Sequence, residues 1–221
     1  MAIMEYKITG ENLPVVVCYL QQGETVKTQN GGMAWMSPNI SMKTKSNGIL
    51  KGFARNFAGE SFFQNNYTCE NGVGTIAFAS SFPGEIRAYD VSNGDIIVQK
   101  RSFLASEISV NLSVCFQKKL SGGLFGGEGF VMQRMSGKGI VFMEFDGSVT
   151  EYTLNVGQSI LVDTGYVGAM TGSCTMTAKL VKGIKNKLVG GEGMFLTKVT
   201  GPGKVYLQSM PIFKLGEVFE S

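Results

Sequence analysis

The chain has 221 residues, 43% of them apolar and 17% charged, with a net charge of +3 from 20 Lys and Arg against 17 Asp and Glu. That length can bury a sizeable core, the composition excludes intrinsic disorder, and the charge is too mild to argue for nucleic acid. Histidine is absent, which excludes Ser-His-Asp and Cys-His nucleophile systems and every metal site built on imidazole.

The N-terminal stretch MAIMEYKITG carries charge where a signal peptide needs an apolar core. The four cysteines, Cys18, Cys69, Cys115 and Cys174, lie far apart and form no CxxC. They read as reduced, mostly buried thiols of a cytoplasmic protein. No apolar run approaches the ~18 residues of a membrane-spanning helix. The 30 glycines against 5 prolines, with no Gly-x-y period, fit short strands joined by tight turns.

Along the chain, the first strand-like stretch is YLQQGETVKTQNGGMAW, residues 19–35. The nearest approach to a helical stripe, GILKGFARNF at 48–57, contains an interior glycine. It is followed by FAGESFFQNNYTCENGVGTIAFAS, from residue 57, in which Gly59-Glu60-Ser61 precede two phenylalanines and then Gly72 and Gly74.

The same order returns. YDVSNGDIIVQKRSFLAS begins at Tyr89, and Ile108, Val110, Leu112 and Val114 then alternate with polar residues, the period of a half-buried strand. GGEGFVMQRMSGKGIVF follows at 126–142. A third round runs YTLNVGQSILVDTGYVGAM from Tyr152 and GGEGMFLTKVTGPGKVY at 190–206, so the two GGEG corners lie 64 residues apart. Shared anchors are Tyr19/Gly23/Ala34, Tyr89/Gly94/Ala105 and Tyr152/Gly157/Ala169. The expectation is a single all-β domain over 1–221, built of three tandem repeats at about 12–81, 82–144 and 145–212 with pseudo-threefold symmetry.

The glycines of each corner suit positive φ and close backbone approach. SGKG at 136–139 and GPGK at 201–204 lack the full phosphate-loop spacing and enter strands, so both read as turns.

On its LFGGEGFVMQRMSGKGIVF and LVGGEGMFLTKVTGPGKVYLQS stretches, the chain resembles the bacterial relatives of the altered-inheritance-of-mitochondria (AIM) protein, type twenty-four, over roughly residues 5–215. The resemblance implies a threefold β duplication, a double-stranded β-helix like the tryptophan RNA-binding attenuation protein, often assembled as a trimeric ring. The mitochondrial members are linked to the inner membrane, and the bacterial ones carry over no activity. The first round departs most, with AGES in place of GGEG.

Three functions follow as expectations. The leading one is a non-enzymatic homo-oligomeric scaffold or binding protein, since β repeats expose edges unless they close or associate. Its partners would be copies of itself, as a homotrimer, and a further protein or a membrane surface, with nucleic acid disfavoured. The second is binding of an anion, a lipid headgroup or RNA at a basic rim beside glycine-rich corners. Gly127, Glu128, Gly129, Gly191, Glu192 and Gly193 would form it with Lys118, Lys119, Lys182 and Lys185. The third is carboxylate chemistry at Glu60, Glu128 and Glu192, the acid repeated at every corner. Those glutamates read more simply as hydrogen-bond acceptors that fix the turns. No catalytic residue, cofactor or metal is implied.

Overall fold

Alternating apolar residues and short glycine turns give β structure throughout the computed structural model, which describes residues 4–29, 31–46, 63–118, 129–180 and 195–212. In chain order the strands are β1 (Glu5–Thr9), β2 (Val15–Gln21), β3 (Thr25–Thr28), β4 (Met33–Met36), β5 (Ile40–Ser46), β6 (Phe63–Cys69) and β7 (Val73–Ala79). Then come β8 (Gly84–Asp90), β9 (Ile96–Gln99), β10 (Phe103–Glu107), β11 (Val110–Lys118), β12 (Phe130–Gly137) and β13 (Ile140–Asp146). The last are β14 (Val149–Leu154), β15 (Ser159–Asp163), β16 (Val167–Thr171), β17 (Thr175–Leu180), β18 (Phe195–Thr200) and β19 (Gly203–Gln208). Short 3-10 turns at Val91–Asn93, Lys100–Ser102 and Thr164–Tyr166 connect some of them. The all-β class expected from the sequence is what folds, as several antiparallel sheets.

The chain forms two compact units. The first comprises Met1–Ser92, Phe103–Asn111 and Gly137–Glu144. It holds a four-stranded sheet, β1-β2-β7-β4, and a six-stranded one, β5-β6-β3-β10-β13-β8. In β2, Val16, Cys18 and Leu20 are buried while their neighbours are half-buried, the pattern of one face turned to a core. That core adds Val26, Tyr67, Ile76, Phe78, Ile86 and Phe142, with Tyr6 packed edge-on against Phe142 at 4.9 Å between ring centres. Burying side chains of this size contributes roughly 1.5–3 kcal/mol each.

The second unit comprises Asn93–Ser102, Leu112–Ser136 and Phe145–Ser221. Its sheets are β11-β12-β9-β16-β19-β14 and β15-β18-β17. Ile97, Phe130, Met132, Val162, Met170, Val199 and Val205 form its core.

Three register details qualify the sequence reading. Ile108 sits in the turn before β11 and is exposed, so the half-buried alternation begins at Val110, not Ile108. A bulge between Met33 and Trp35 sets Trp35 opposite Ala77, as bulges set Ala105 opposite Phe142 and Ala169 opposite Tyr206. The residue that matches Ala105 and Ala169 is therefore Trp35, not Ala34. An inserted residue shifts the phase of all that follows. Finally, the Gly-x-Gly turns do not close hairpins: β6 and β7, β12 and β13, and β18 and β19 lie in different sheets. Gly139 illustrates the need for glycine there. Its φ is +116°, and an added Cβ would stand 2.5 Å from Glu107 Oε2.

Candidate functional site

Most of the corner residues singled out in the sequence lie outside the described residues: Gly127, Glu128, Gly191, Glu192, Gly193, Lys119, Lys182 and Lys185. Glu60 does too, as does the stretch 48–57. Gly129 is placed just ahead of β12 with φ +77°, and Lys118 is the last residue of β11. The three glutamates fall in chain connections between neighbouring strands of one sheet, β5 to β6, β11 to β12 and β17 to β18.

The polar groups that are buried tie strands together. Lys27 of β3 is 7% exposed and donates from Nζ to the carbonyl of Ile108 at 3.3 Å and to that of Val110. Both acceptors belong to the turn and strand start that follow β10. Glu107 Oε2 accepts the backbone N–H of Ile140 at 2.6 Å. Burial pushes its carboxyl pKa up; the Ile140 N–H opposes this and Glu24 adds repulsion. Glu144 accepts the Ser81 N–H at 2.6 Å and both serine hydroxyls, Ser80 at 3.3 Å and Ser81 at 3.2 Å.

In the second unit, Gln208 donates from Nε2 to the Gly165 carbonyl at 3.0 Å and accepts the Asp146 N–H at 3.2 Å. The hydroxyls of Thr164 and Thr197 meet at 3.0 Å. Asp146 has its pKa raised by burial, offset by the Ile212 N–H and by Arg101. Most of these groups hold backbone; Glu144 also takes the hydroxyls of Ser80 and Ser81, and Thr164 meets Thr197. The Cys18 thiol is pushed up to about 12, mainly by burial with Glu107 adding repulsion, so it is not a thiolate nucleophile. Among the described residues no group of His, Cys, Asp and Glu could hold a metal ion.

What remains exposed is more informative. Eight strands lie at sheet ends: β1, β4, β5, β8, β11, β14, β15 and β17. Edge strands protect themselves from pairing with other chains chiefly by carrying charge. β1 carries Glu5 and Lys7, and β5 carries Lys43 and Lys45. β8 has the Glu85–Arg87 ion pair at 2.6 Å, and β14 has Glu151 paired with Lys204 at 2.6 Å. β11 ends on Lys118, and β17 carries Lys179. β4, MAWM, has no charge, and β15, SILVD, has only Asp163 at its end. Trp35 is 53% exposed, Met36 37% and Leu161 59%. Among the described residues, β4 pairs with β7 alone and β15 with β18 alone. Each is thus an apolar strand with a single neighbouring strand among the described residues. Composition alone did not mark these residues, because a strand's edge position is set by pairing, not by its own sequence.

Residues 6–210 match the protein family described as Mitochondrial biogenesis AIM24. The chain belongs to the AIM24 family. This AIM24 chain is 28% identical over 207 residues to an uncharacterised protein of Streptococcus pyogenes serotype M6, across 89% of this chain and 82% of that one. It is also similar to a protein from Streptococcus pyogenes solved by X-ray crystallography, with a TM-score of 0.79 and 24% identity over 98% of both chains. At that identity the likeness establishes a common fold and nothing of activity. No helix among the described residues of this AIM24 chain is long and apolar enough to cross a membrane.

Proposed function

We propose that this AIM24 chain is a non-enzymatic scaffold or binding protein of the cytoplasm that works as a homotrimer, each copy built of three six-strand segments, β2–β7, β8–β13 and β14–β19. One pairing scheme supports the segments. In each, the first strand neighbours the sixth, the second the fifth, the third the sixth and the fourth the fifth. That recurrence, in register with the repeated Tyr and Gly anchors, favours a threefold duplication of attenuation-protein-like β units. The absence of histidine and the deeply buried Cys18 favour binding over catalysis. Four free thiols, Cys115 among them exposed, suit a reducing compartment.

The observation that carries the oligomer is a pair of apolar edges with large exposed side chains, β4 with no charge and Trp35 and Met36 exposed, and β15 with only its terminal Asp163 and Leu161 exposed. Natural proteins leave such an edge bare where something covers it. Native mass spectrometry on protein purified gently from its own host tests the reading. The expected spectrum is a trimer without adduct. A monomer at micromolar concentration would overturn the scaffold, and a small-molecule adduct of defined mass would replace it with ligand binding.

A further inference from the structure

We infer that each of the first two segments holds a long-lived internal water on one buried side-chain amide, Asn66 of β6 in the first unit and Gln133 of β12 in the second. These sites are independent of the assembly proposed above.

The two amides occupy one position of a recurring ladder. Asn66 lies opposite Lys27 of β3, which in turn lies opposite Ser106 of β10. Gln133 lies opposite Val98 of β9, which lies opposite Ala169 of β16. Lys27 and Val98 follow the positive-φ turn glycines Gly23 and Gly94 at equal spacing. Val26 and Tyr67, beside the first amide, belong to the first unit's core, and Ile97 and Met132, beside the second, to that of the second unit. Side chains alternate along a strand, so Asn66 and Gln133 occupy the other face of their sheets. They are nevertheless only 7% and 2% exposed. The same interior position therefore carries an amide twice.

Neither amide is satisfied by the chain. Asn66 Oδ1 and Gln133 Oε1 are shut off from bulk solvent and accept no hydrogen bond from any protein group. In the first unit Gln29, two residues beyond Lys27 and also buried, leaves Oε1 in the same condition. Packing does not replace the hydration such an oxygen loses, so it needs a donor. The donor must be small, since both residues are buried, and neutral at Asn66, because the buried Lys27 opposite repels a cation. A half-turn of the amide exchanges its oxygen and nitrogen, and the unpartnered end then needs an acceptor instead. Water meets either demand, as it both donates and accepts. Internal waters of globular proteins sit on groups of this kind, with about three hydrogen bonds each. Each row also carries a small side chain on its third strand, Ser106 or Ala169, so neither is filled by three large ones.

Magnetic relaxation dispersion of water oxygen-17 tests this directly, because its amplitude counts the waters held for longer than the protein takes to tumble. The full chain is compared with Asn66→Leu, Gln133→Leu and the double variant, each of which removes an amide and keeps an apolar side chain of similar size. The amplitude should fall by one water in each single variant and by two in the double, with circular dichroism and sedimentation unchanged. An unchanged amplitude in either single variant would overturn the inference. Should a variant fail to fold, the wild-type protein decides by nuclear Overhauser spectroscopy. Cross-peaks between water and the side-chain protons of Asn66 and Gln133 are expected, with the sign of a long-lived contact. Their absence, or the sign of a rapidly exchanging contact, would overturn it equally.

Discussion

At the scale of single residues, the buried polar groups make the clearest claims. Gly139→Ala forces a side chain into positive φ and against Glu107, so it should lower unfolding free energy by roughly 1–3 kcal/mol in urea titration. Glu107 also sets a pH dependence. Its folded pKa lies above the unfolded one, so the folded state holds the proton more tightly. Its stabilising contribution is complete below the unfolded pKa and is lost as pH rises through the folded one. Urea midpoints measured from about pH 4 to about pH 7 should therefore fall less steeply in Glu107→Gln than in wild type. An identical slope would assign the titration elsewhere. Thiol chemistry offers a third check: in native protein only Cys115 should react quickly with an aromatic disulfide reagent, and all four cysteines after denaturation. Such contacts were invisible in the sequence. Nothing in the order of residues announces that Glu144 will meet Ser81, because the two are brought together by sheets, not by spacing.

Elements were read more easily than their phase. Val16, Cys18 and Leu20 alternate as a half-buried strand should, and the Gly-x-Gly turns fall at strand ends in every segment. The sequence misled where a bulge or a turn adds a residue, as at Ala34 and Ile108. It was also blind to sheet membership, which decided that β4 and β15 are edges. The glycine-glutamate corners, which the sequence marks most strongly, lie outside the described residues, so their expected role in fixing turns rests on the sequence alone. Lys27 makes a prediction at this scale. Its ammonium ties β3 to the carbonyls of Ile108 and Val110, so Lys27→Met should destabilise by roughly 1–3 kcal/mol through poorly satisfied buried acceptors. The denaturant midpoint should move with little change in slope.

For the whole molecule, the proposal is a chain of three six-strand segments that works as a homotrimer. On the proposed reading function lies in association, and a Streptococcus pyogenes protein of known structure has a similar fold. Sedimentation velocity across a concentration series is the most direct measurement. The account requires one sharp species at three times the chain mass, persisting as the protein is diluted through the micromolar range. A single species at the chain mass throughout would contradict it.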